Sequence, residues 1–140
     1  MNFNINIAQN ITISGPSGFG NKVTVLTNGN YVVRANFNNK GAIYLYKGSD
    51  HTLISSFSGT KNTDFVGSGG VFALTNGNFV VCSPSWCNGS KIEVGAVTWV
   101  NGTTGMNDTI SVINSIIGSN KYDWVGYNGI VPLTNGNFCY

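Results

Sequence analysis

Acid–base chemistry needs titratable side chains that converge, and this sequence offers few of them. The carboxylates are Asp50, Asp64, Glu93, Asp108 and Asp123, and the only histidine is His51. Asp64 and Asp123 each open the same short pattern, Asp-aromatic-Val-Gly, so they read as turn-capping residues of a repeat. Asp50 and His51 fall in a loop expected to face water. With no nucleophile elbow, phosphate loop or zinc signature, neither an enzyme nor a catalytic residue nor a cofactor is expected. Cys82, Cys87 and Cys139 form an odd set, which argues against a full disulfide framework. Cys82 and Cys87 flank the loop CSPSWC and form a disulfide if it folds back in an oxidising compartment; free, buried thiols are the other state. No CxxC occurs and His51 is far away in sequence, so no metal site is expected.

Binding chemistry has better material. Trp86 lies beside Pro84, Asn88 and Ser90 in a loop. An exposed indole stacks on the apolar face of a sugar while amides and hydroxyls supply hydrogen bonds, which makes Trp86, Asn88 and Ser90 candidate carbohydrate-binding residues. The alternative is that Trp86 covers a sheet edge. Trp99 and Trp124 stand where Leu45 and Phe65 stand in an equivalent segment, and both are expected in the core. N-x-S/T sequons begin at Asn10, Asn88, Asn101 and Asn107. The last three fall in or beside expected loops and would carry glycans if a eukaryotic host secreted the chain.

The elements that hold these residues follow from composition and repetition. A length of 140 residues fits one domain. Only 9% of residues are charged, against about 25% in an ordinary soluble protein. Asn accounts for 21 residues and Gly for 19, which favours turns over helices. Hydrophobic residues still make up 41%, enough for a packed core. A net charge of +2 gives no reason to expect nucleic acid, and no apolar run approaches the roughly 18 residues that cross a bilayer. The opening residues MNFNINIAQNITISG lack the basic and apolar regions of a secretory signal.

LTNGN begins at Leu26, Leu74 and Leu133, spaced 48 and 59 residues apart, and each copy is followed by an aromatic, Tyr31, Phe79 or Phe138. GAIYLYKG from Gly41 and GAVTWVNG from Gly95 form a second shared signature, and Asp64–Gly67 with Asp123–Gly126 a third. Two loops absorb the whole difference in repeat length. Each repeat reads as four strands, in the second copy Val71–Leu74, Phe79–Ser83, Gly95–Val100 and Thr109–Ile117. Asn-Gly predicts a tight type I′ hairpin between the first two. Four strands per 40 to 50 residues is the mark of a β-propeller blade.

The expected fold is therefore all-β: a half-blade over 1–22, blades over 23–70 and 71–129, and a half-blade over 130–140. The first half-blade rests on Phe3–Ile7 and Ile11–Ser14, read as third and fourth strands. A three-blade wedge does not close, since propellers need about 4 to 8 blades. The C-terminal strands of one chain are expected to complete the N-terminal half-blade of another, giving a ring of about six blades. The alternative is a piece of a longer array.

Asp64-Phe65-Val66-Gly67, LTNGNFVV, Ser83-Pro84-Ser85-Trp86 and Gly95-Ala96-Val97-Thr98-Trp99 resemble repeats of bacterial filamentous-haemagglutinin-like surface proteins, and more distantly FG-GAP repeats. The resemblance implies a secreted or surface-displayed propeller. It transfers no calcium site, because the corresponding loops lack clustered carboxylates. The resulting expectation is a non-enzymatic, extracellular, lectin-like adhesion module whose partners are its own copies and glycans. A structural subunit polymerising head-to-tail into a filament is the alternative.

Overall fold

Alternating apolar residues punctuated by Asn and Gly fold as antiparallel hairpins, and the computed structural model, which describes residues 12–140, gathers them into three sheets. The first is a meander of β1 (Lys22–Val25), β2 (Tyr31–Ala35), β3 (Ala42–Tyr46) and β4 (Leu53–Ser58). The second repeats it with β5 (Gly70–Ala73), β6 (Phe79–Ser83), β7 (Ala96–Val100) and β8 (Ser115–Ile117). The third holds only β9 (Val131–Pro132) and β10 (Phe138–Cys139). None of the sheets is closed, and no α-helix occurs among the described residues.

The recurring turn differs from the expected type I′ hairpin. Leu26 N–H donates to Asn30 O at 2.8 Å and Gly29 N–H donates to Leu26 O at 3.0 Å, which closes a three-residue loop. Gly29 adopts φ 88, while Asn28 keeps a negative φ. This is the type I turn followed by a left-handed residue that suits three-residue hairpins. Asn28 serves through its side chain instead, its Oδ1 accepting the Asn30 N–H at 3.0 Å. The same bonds recur at Leu74–Asn78 and Leu133–Asn137. A threonine then links each turn to the next. Thr27 Oγ1 donates to Leu74 O at 3.2 Å, and Thr75 Oγ1 donates to Leu133 O at 3.4 Å.

Strand periodicity sorts the core into two layers. Val32, Ile43 and Leu45 of the first sheet meet Phe79, Val81, Ala96 and Val100 of the second. From its other face the second sheet sends Val80, Cys82 and Val97 toward Phe138 of the third and Ile130 just before it. β6 is thus buried at every position, which explains its unbroken apolar run where a one-faced strand would alternate. Full burial of Phe79 contributes roughly 1.5–3 kcal/mol.

Several expected elements change. The fourth strand of the second sheet covers Ser115–Ile117 rather than Thr109–Ile117, because the Asn114 side chain accepts the Ser111 N–H and donates to Thr109 O, both at 2.9 Å, closing a turn there. Phe3–Ile7 and Ile11 lie outside the described residues, and Thr12–Ser14 form no strand. The following segment turns at Pro16–Phe19 and lays Phe19 edge-on against Tyr44, on the face of the first sheet opposite the second. Trp99 is not in the core. It is 45% exposed, whereas Leu45 at the equivalent position is 1% exposed. Leu45 is covered by the second repeat near Gly105, whereas Trp99 lines an open pocket with Leu133 and Phe138 beside the two-stranded third sheet.

Candidate functional site

Asp-aromatic-Val-Gly is the segment through which one repeat receives the next. Asp64 Oδ2 accepts the N–H groups of Thr60 at 2.8 Å and Lys61 at 2.9 Å, capping the turn after β4. Its Oδ1 reaches across to the second repeat and accepts the Cys87 N–H at 3.3 Å. Beside it, Gly67 N–H donates to Ser83 Oγ at 3.1 Å and Gly69 N–H to Cys82 O at 3.0 Å. The loop Ser83–Cys87 therefore serves as a clasp on the first repeat, and Asp64 has no exposed surface.

Asp123 caps its own turn in the same way, accepting Ser119 and Asn120 N–H groups at 2.8 Å each. There the likeness stops. Asp123 is exposed, and no donor among the described residues reaches its Oδ1. Trp124 is 45% exposed, which corrects its expected place in the core.

The open surface carries aromatics that the first repeat lacks. Tyr122, Trp124 and Tyr127 stand in a row, with ring centroids 6.0 Å and 6.3 Å apart along it. Trp124 Nε1–H donates to Glu93 Oε2 at 2.8 Å, which fixes the indole plane. Trp124 and Tyr127, with Asp123, Asn128 and Tyr140, line an open cleft of about 320 Å³, and Tyr122 flanks it beside Trp124. The equivalents of Tyr122 and Tyr127 are Thr63 and Ser68. Composition by repeat position is the signal in the sequence for this cluster.

The residues singled out from sequence fare differently. Trp86 is only 6% exposed and belongs to the core between the first two sheets, so it presents no open indole face. The physical reason is its neighbour Cys87, whose N–H is tied to Asp64 and draws the loop inward. Asn88 is half-buried, and its backbone pairs with Lys91; Ser90 is exposed at the tip of that turn. Trp86, Asn88 and Ser90 therefore do not share one surface. Cys82 and Cys87 are both buried as free thiols, unbridged, and Cys139 is exposed. Among the sequons, Asn107 is exposed, while Asn101 Oδ1 accepts the N–H groups of Thr103 at 2.8 Å and Thr104 at 3.0 Å. Asn10 lies outside the described residues.

The titratable groups stay apart. Asp50 is exposed; hydrogen bonds from Thr52 hold its carboxyl at about 2, with Lys47 at 3.3 Å adding to the effect. His51 Nδ1 lies 3.0 Å from the Tyr31 hydroxyl. Among the described residues no three His, Cys, Asp or Glu side chains gather as a metal site would need.

A family model for a repeat of unknown function, DUF5650, matches residues 25–68 and again 73–127. The two matches follow the two four-stranded sheets. No curated protein and no solved structure matches the chain. The chain belongs to the DUF5650 repeat family.

Proposed function

We propose that this pair of DUF5650 repeats is a non-enzymatic assembly module of propeller type, in which each four-stranded sheet is a blade and a second copy supplies strands to the two-stranded sheet. One observation carries the reading: the first repeat receives the second through a built contact, the buried Asp64 carboxylate accepting the Cys87 N–H at 3.3 Å, and the same capping motif recurs in the second repeat at Asp123. Asp123 and Trp99 are exposed where Asp64 and Leu45 are buried. The outer edge of β10 has no partner strand among the described residues, while the corresponding β2 and β6 are paired on both sides. Such an edge attracts another chain. The alternating segment Phe3–Ile7 is the matching donor in sequence. The first strands also support a propeller, because β1 and β5 approach each other and Thr24 Oγ1 donates to Val71 O at 3.3 Å. The resemblance of the motifs to surface proteins supports an extracellular or cell-surface setting.

The test is molar mass by light scattering over a dilution series, for the full chain and for a version lacking residues 1–14. The expected result is a discrete particle of twice the single-chain mass that reverts to one chain on deletion. A single-chain mass at every concentration would refute the assembly. Long polymers that also vanish on deletion would replace the ring by a filament, the open form of the same contact.

A further inference from the structure

We propose that Trp124 and Tyr127, flanked by Tyr122 and with Asn128 at their edge, form a binding cleft for an uncharged saccharide. The inference does not rest on the assembly reading. Thr63 and Ser68 remain exposed in the first repeat even though the second repeat is docked beside them. Tyr122 and Tyr127 take those same positions, so docking of a further repeat leaves them accessible. Two tyrosines at sites that packing does not use, the latter 70% exposed, call for another partner.

The chemistry of the cleft defines that partner. Three rings in a row offer apolar faces to the C–H faces of a sugar, and phenol and amide groups hydrogen-bond its hydroxyls. The central indole is held in place beforehand. Glu93 holds the indole N–H at 2.8 Å, and Tyr122 and Trp124 sit at φ 65 and φ 47. The latter conformation belongs to the repeat, since Phe65 has φ 44. The left-handed backbone at Tyr122 is specific to the second copy, because Thr63 does not adopt it. Backbone strain of this kind gathers at ligand-binding positions. Glu93 is neutralised by no lysine or arginine within ion-pair distance among the described residues, and Asp123 lines the cleft, so an anionic glycan is disfavoured.

The test is a printed array of neutral and acidic glycans, followed by calorimetric titration of the full chain with the soluble trisaccharide of the strongest hit. Tyr122→Asn keeps a residue type that accepts the left-handed backbone, and Trp124→Phe and Tyr127→Ser install the residues of the first repeat, so these variants keep the fold. Binding to neutral glycans, weakened at least about tenfold in the combined variant at unchanged molar mass, is the expected result. Absence of any glycan binding would overturn the proposal, as would binding that the combined variant retains. Oligomeric state is read separately, so failure here leaves the assembly reading intact.

Discussion

Cys82 is wholly buried among Leu74, Val80 and Val97, and that burial pushes its thiol up to about 12. An unfolded chain releases the same proton near the ordinary value of 9.0. The raised folded value means that this contribution to stability is complete below about 9 and is lost as pH climbs toward about 12. Burial raises Tyr31, Tyr44 and Tyr46 in the same sense. Urea midpoints should therefore fall across that alkaline range, with a shallower fall in Cys82→Ala. A thiol reagent should count Cys139 alone in the native protein and all three cysteines once it is denatured. A denatured count of one would instead reveal a bridge between Cys82 and Cys87.

Within each hairpin the glycine has two duties that can be separated. Gly29 and Gly77 occupy equivalent positions at φ 88 and φ 85. A methyl group on Gly29 meets nothing within 4 Å, whereas on Gly77 it comes 3.1 Å from Asn28 Cβ. Gly29→Ala should cost only the left-handed backbone, about 1–2 kcal/mol. Gly77→Ala adds compression between two stacked turns and should cost more, about 2–4 kcal/mol in all. Equal unfolding free energies for the two variants would show that the turns are not stacked in solution. Asn-Gly was legible as a turn in the sequence. Its type was not, because Leu26 and Asn30 pair across three residues and this leaves Asn28 free to act through its side chain.

Across the whole molecule one apolar layer joins the first and second sheets, from Leu26 and Leu45 to Phe79 and Val100. Neither sheet buries its inner face alone, so unfolding should be a single transition. Gly105 packs against Ser55 and Leu45 of the first sheet. A Cβ there would lie 1.7 Å from Ser55 Oγ, at a backbone φ of 73. Gly105→Ala should lower stability by about 3 kcal/mol or more, seen as a lower denaturant midpoint. A variant as stable as the wild type would mean that the two sheets do not pack through this contact.

Much of the architecture was already in the local sequence. The repeat period, the strand positions around Phe79–Ser83 and the capping aspartates follow from residues close in the chain, whose turn chemistry and alternation act over a few positions. Which side chains are covered is a different kind of property. Local sequence leaves Trp86 open between an exposed indole and a cover for a sheet edge, and it is buried; Trp99 and Trp124, expected in the core, are exposed. Repeat alignment assigns a residue to a strand and a face, but burial requires the neighbouring sheet. Trp86 is drawn inward because its loop clasps Asp64, and Trp99 and Trp124 lie beside the two-stranded third sheet, where each is 45% exposed. The sequence by itself determined the repeated sheets; only their stacking decided which aromatics face solvent, since stacking joins residues tens of positions apart.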